Sequence, residues 1–168
     1  RREGLVFAER NAILTGKERH AWVRQGGLGY PMRAIRTHDF LYIYNFEPDR
    51  WPAGDPTDFD QLRPSQPYGD IDASPTKTYM MEHHEHLQDR FMLAFLKRPQ
   101  EELYELDSDP FQLVNLAKDP KYQDIRERLY QRLMKMLEET SDPRVLGRGD
   151  AFDRMPYYRN GFIQNAPN

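Results

Sequence analysis

Between Asp119 and Pro143 the chain spells out one amphipathic helix. Asp119 is placed to cap it, and Pro120 to fill its first turn, where no amide donor is needed. Tyr122, Ile125, Leu129, Leu133, Met136 and Leu137 then recur at spacings of three and four, which sets them on one face. Such a stripe needs an apolar surface to cover it. Phe40-Leu41-Tyr42-Ile43-Tyr44-Asn45-Phe46, dense in aromatic and β-branched side chains, gives the best strand signal in the protein. Arg33-Ala34-Ile35-Arg36 leads into it through Thr37-His38-Asp39, which reads as a hairpin. Ala12-Ile13-Leu14, ending at Thr15-Gly16, reads as another strand. Glu102-Leu103-Tyr104-Glu105-Leu106, closed by Asp107-Ser108-Asp109-Pro110, reads as a fourth. The expected fold class is therefore α+β: a small antiparallel sheet of about four strands packed by a long C-terminal helix.

The remaining segments are less regular. Leu5-Val6-Phe7-Ala8 is a short apolar run, and Gly26-Gly27-Leu28-Gly29 marks a loop. Residues 47–77 carry six prolines and many aspartates, and read as a surface loop packed by Trp51 and tyrosine. Ser74-Pro75 starts a helix expected to run to about Leu96, before Lys97-Arg98-Pro99 stops it. The tail from 144 to 168 is expected to drape on a surface rather than form elements. Leu, Ile, Val and Phe make up only 35 of 168 residues, which points to a small domain leaning on something else.

Charge and cysteine usage exclude several classes. With 24 basic and 27 acidic side chains the net charge is −3, so no nucleic-acid partner is expected from electrostatics. No apolar run is long enough to span a membrane. The chain opens Arg1-Arg2-Glu3-Gly4, so a targeting signal is expected to be absent or upstream. With no cysteine, neither a disulfide nor a thiolate site or nucleophile can arise in this stretch.

Three clusters carry candidate chemistry. Glu82-His83-His84-Glu85-His86 suggests zinc, but neither H-E-x-x-H nor its inverse is met: Gln88 and Glu82 stand where histidines would be needed. His83 with His86 and Glu82 with His86 leave two ligands, and a solvated helix face explains them better. Glu18-Arg19-His20 follows a strand end and brings a carboxylate, a planar anion-binding fork and a proton donor to one sheet tip; an ordinary charged turn is the competing reading. Asp70 and Asp72, two apart on extended chain, would share a side and offer oxygen to a hard cation or to sugar hydroxyls. Turn formation and helix-terminus electrostatics account for them equally well.

The ordered string is more specific than its parts. Thr15-Gly16-Lys17-Glu18-Arg19-His20, Gly29-Tyr30-Pro31-Met32-Arg33-Ala34-Ile35-Arg36-Thr37, the 40–46 strand and Pro48-Asp49-Arg50-Trp51-Pro52 come first. Gly69-Asp70-Ile71-Asp72-Ala73-Ser74-Pro75-Thr76-Lys77 follows, then Glu102-Leu103-Tyr104-Glu105-Leu106 with Asp109-Pro110 and Asn115-Leu116-Ala117. From about residue 11 to 158 this order resembles the C-terminal part of type I sulfatases of the alkaline-phosphatase-like superfamily, in the branch related to heparan N-sulfatase.

The resemblance implies a division into residues 1–20 as the last strand and pocket loop of a catalytic domain, 21–144 as a C-terminal subdomain, and 145–168 as a tail. It implies a whole protein that hydrolyses sulfate esters or sulfamates, with a sulfated carbohydrate as substrate and the N-terminal catalytic domain as partner. It also implies a periplasmic, secreted or lysosomal location. Formylglycine made from a C/S-x-P-x-R motif would attack the sulfuryl group with calcium present. Neither that motif nor the paired calcium ligands occur here, so this stretch binds no cofactor of its own and is expected to be inactive alone. Glu18, Arg19 and His20 would line the substrate pocket, His20 near the sulfated group and the other two on sugar or carboxylate groups. Asp70 and Asp72 are further pocket candidates, and Arg33, Arg36 and the Trp51 loop would be structural. A free-standing carbohydrate-binding module and a small zinc protein remain as alternatives.

Overall fold

Along Phe40–Asn45 the side chains turn alternately to two faces, Phe40, Tyr42 and Tyr44 to the main apolar core and Ile43 and Asn45 to the other, and that alternation organises the fold. The computed structural model describes residues 11–57, 67–159 and 162–164; the Leu5–Ala8 run lies outside them. Four strands, β1 (Ile13–Lys17), β2 (Met32–Arg36), β3 (Phe40–Asn45) and β4 (Glu101–Glu105), form one antiparallel sheet in chain order. Register sets Ile35 beside Tyr42 and Tyr42 beside Leu103, so three inaccessible side chains make one rung. Leu129, Leu133 and Leu137 of α3 (Gln123–Glu139) pack on that rung, as the helical spacing requires. The α+β class, the four-stranded antiparallel sheet and the long helix covering it are thus present.

Ile13–Lys17, grouped by the sequence reading with an upstream domain, pairs residue by residue with β2 from Ile13↔Arg36 to Lys17↔Met32. The loop after it relies on glycine: at Gly27 φ is +66°, and a Cβ there would lie 2.3 Å from the Trp22 ring.

The other face of the sheet is covered differently. Ala53, Tyr68 and Phe95 form a second cluster with Trp51 and Phe91, carried by residues 51–53 and 68–71 and by the helix that holds Phe91 and Phe95. The single helix expected from Pro75 to Leu96 is two: α1 (Pro75–Glu82), capped by Ser74 Oγ accepting from the Lys77 amide at 3.1 Å, and α2 (Gln88–Phe95). The break has a physical cause. From Glu82 to His86 the chain has no apolar side chain to hold a helix against the core, and helices in proteins persist through packing.

The tail departs from expectation as well. It forms α4 (Asp150–Arg154) and the antiparallel strands β5 (Tyr157–Arg159) and β6 (Phe162–Gln164). Asp153 anchors it: its carboxylate accepts from the Gly29 amide at 2.8 Å and pairs with Arg50 at 3.0 Å. Among the described residues no helix is long and apolar enough to cross a membrane.

Candidate functional site

The end of β1 delivers Lys17, Glu18, Arg19 and His20 in succession, and the four side chains have separate fates. Glu18 accepts from Arg33 at 2.8 Å and from Arg144 at 2.7 Å, and Arg33 also pairs with Asp142 at 2.7 Å. This ties the tip to the segment that follows α3. Arg19 donates to the carbonyls of Gly27, Met155 and Pro156, and its guanidinium stacks 5.7 Å from the centroids of both Trp22 and Tyr157. Planar stacking combined with several fixed donors is a use to which arginine is suited. Burial holds its pKa below the usual guanidinium value, an effect that nearby Asp153 offsets only in part. His20 is exposed at the tip.

Lys17 turns the other way and brings the tip to Asp70. Its Nζ donates to Asp70 at 3.2 Å and to the Pro52 carbonyl at 3.3 Å. Arg24 reaches the same carboxylate oxygen at 2.6 Å and also holds the carbonyls of Trp51 and Pro52. Both members of this pair are nearly inaccessible, 2% for Arg24 and 3% for Asp70. Asp70 and Asp72 do not share a side: Asp72 is exposed. The extended chain assumed for them is instead a turn, with the Ile71 amide donating to Tyr68 O. Lys77, buried, secures it by donating to Tyr68 O at 2.9 Å and Ile71 O at 2.8 Å. Tyr68 itself takes φ +55°, a left-handed backbone that a non-glycine residue adopts only when its surroundings hold it there.

A second buried network lies on the same sheet face. Glu102 accepts from Arg98, from Asn45 at 2.9 Å and from Tyr104 Oη at 2.5 Å, and Arg98 in turn donates to Tyr104 Oη at 2.8 Å. Burial and the adjacent Glu102 carboxylate push the Tyr104 phenol up. Tyr30, 3% exposed, stands between the two networks, within electrostatic reach of Glu102, Arg98 and Arg24.

Sequence reasoning singled out Asp70 but missed Lys17, Arg24, Tyr30, Asn45, Arg98 and Glu102. The available signal was alternation: Asn45 closes the β3 run on the side away from α3, and Arg24 follows the buried Trp22 and Val23. The histidine cluster gathers no set of three ligating side chains among the described residues. His83 stacks on Tyr79 and His84 lies beside Phe91. No family model matches the chain, and no curated protein matches it.

Proposed function

We propose that this chain is the C-terminal part of a type I sulfatase of the heparan N-sulfatase-related branch, whose whole protein hydrolyses sulfate esters or sulfamates of carbohydrates. The observation that carries the reading is the ordered series of motifs from Thr15-Gly16-Lys17-Glu18-Arg19-His20 to Asn115-Leu116-Ala117. The four-stranded sheet with its covering helix is compatible with it.

In this reading the upstream catalytic domain supplies formylglycine and calcium, and that domain acts in the periplasm, outside the cell or in a lysosome. The C/S-x-P-x-R motif does not occur in this stretch, so in this reading the attacking group comes from upstream. The work of the described residues is to close and shape the pocket. His20, exposed at the tip, donates to the sulfated group. Glu18 and Arg19, bound to Arg33, Arg144 and the tail carbonyls, position His20 rather than bind sugar themselves. Asp72, exposed, is free to accept from sugar hydroxyls, whereas Asp70 is engaged by Arg24 and Lys17. Phe111, Leu113 and Val114, exposed by 78%, 56% and 60%, offer an apolar surface to the catalytic domain.

The test compares the gene's full product with the 168-residue chain on an aryl sulfate and on N-sulfoglucosamine, with calcium present and in a formylglycine-generating host. An active long product and an inert fragment support the proposal, and His20→Ala in the long product then lowers kcat/KM about 100-fold. A native product of only this length, inert on both substrates, overturns it in favour of a carbohydrate-binding module.

A further inference from the structure

Beyond α3 the chain turns back and touches the β1 tip and its supports at one residue after another. Asp142 pairs with Arg33 at 2.7 Å, and Arg144 with Glu18 at 2.7 Å. Asp153 accepts from the Gly29 amide at 2.8 Å and pairs with Arg50 at 3.0 Å. The carbonyls of Met155 and Pro156 accept from Arg19. Tyr157 and Trp22, with ring centroids 6.2 Å apart, each lie 5.7 Å from the Arg19 guanidinium carbon. Val145 packs on the main apolar core. The other ties are polar or stacked, and each is weak taken singly.

Gly29 is where this returning stretch and the tip meet. Its amide serves Asp153, and the amide of its neighbour Tyr30 donates to the Glu18 carbonyl at 3.2 Å. A Cβ on Gly29 would stand 3.1 Å from the Arg19 nitrogen, 3.2 Å from the Glu18 carbonyl carbon and 3.4 Å from Asp153 Oδ1. Tip backbone and tail carboxylate therefore close on the same glycine. His20, next along the tip, is exposed and hydrogen-bonds to nothing among the described residues. Its place is set by the backbone that carries it. A misplacement of about 1 Å in a group that meets substrate can cost about 100-fold in rate, so ties remote from the chemistry matter there.

We propose that residues 142–157 are a strap whose docking sets the position of His20, with Asp153 the positioning residue that joins strap to tip through Gly29. What His20 touches rests on the sulfatase reading; how the strap holds it does not.

The first arm of the test needs no activity. Trypsin is added to the 168-residue chain under native conditions, cleavage after Arg19 is followed by mass spectrometry, and the His20 ring resonances are recorded by NMR. Asp153→Ala is expected to speed that cleavage roughly tenfold, because cleavage of a folded chain follows local opening, and to shift the His20 resonances. Asp153→Asn keeps an oxygen for the Gly29 amide and is expected to recover most of the protection. Tyr157→Ala, which removes only a stacked ring, is expected to act in the same direction by roughly threefold, and it serves where Asp153→Ala does not fold. Unchanged cleavage and unchanged resonances overturn the strap.

The second arm uses the gene's full product on N-sulfoglucosamine. Asp153→Ala is expected to lower kcat/KM roughly tenfold, and by less than about twofold in a His20→Ala background, where nothing is left to position. An equal loss in both backgrounds overturns the positioning role. A full product inert on both substrates ends the sulfatase reading, and the trypsin and NMR arm still decides the strap.

Discussion

The two faces of the sheet are built on opposite principles. Under α3 the rung Ile35–Tyr42–Leu103 meets Leu129, Leu133 and Leu137, and all but Leu129 are at most 1% exposed. Burial of hydrocarbon there stabilises by roughly 25 cal/mol per Å² removed from water and tolerates small shifts of geometry. On the opposite face the Ala53, Tyr68 and Phe95 cluster is accompanied by ion pairs taken largely out of water, Arg24 with Asp70 and Arg98 with Glu102, the latter joined by Tyr104 and Asn45. Taking charges out of water costs several kcal/mol per ion before their attraction offsets it. The first face holds the fold, and the second fixes where particular donors and acceptors stand.

The sharpest way to break this contrast is to remove one member of the buried pair. Asp70→Ala leaves Arg24 charged and enclosed, and urea unfolding is expected to lose about 3–5 kcal/mol. Replacing both, Arg24→Met with Asp70→Leu, is expected to recover most of that loss, because no charge is stranded. If the single variant loses less than the double, the pair is not desolvated as the geometry implies. Leu133→Ala tests the other face. It deletes a side chain of zero exposure from α3, with an expected loss of about 3 kcal/mol in the same measurement. No second substitution restores it unless it fills the cavity.

The same contrast decides what the sequence makes legible. Helix α3 and the β2–β3 hairpin are visible because apolar periodicity is a local signal: Leu129, Leu133 and Leu137 recur within one segment. The α1–α2 break was hidden because the Ser74-Pro75 start and Phe91 and Phe95 at the far end fit one continuous helix. The cost of five polar residues between them appears only against a core. The site is least legible. Glu18 is bound to a partner 126 residues away, and Arg19 to a carbonyl 136 residues away. The sequence suggested a charged tip that would touch substrate; the long-range partners leave only His20 exposed at it. Asp70 and Asp72 separated for a related reason, since Lys77 folds the intervening chain into a turn.

Two tyrosines on the polar face sharpen the comparison to single hydroxyls. Tyr104 Oη donates to Glu102 and accepts from Arg98, whereas Tyr30 Oη has no partner among the described residues. Both rings are buried, at 2% and 3% exposure, so phenylalanine preserves their packing and removes one oxygen in each case. Tyr104→Phe strips a hydrogen bond from a buried carboxylate and is expected to cost about 2 kcal/mol in thermal or urea unfolding. Tyr30→Phe removes an oxygen that gained nothing on burial, so the expected change is zero or a small gain. A loss at Tyr30 equal to that at Tyr104 would mean that its hydroxyl is satisfied within the chain. The reverse result means that the folded chain holds the Tyr30 ring by its packing and gains nothing from its hydroxyl.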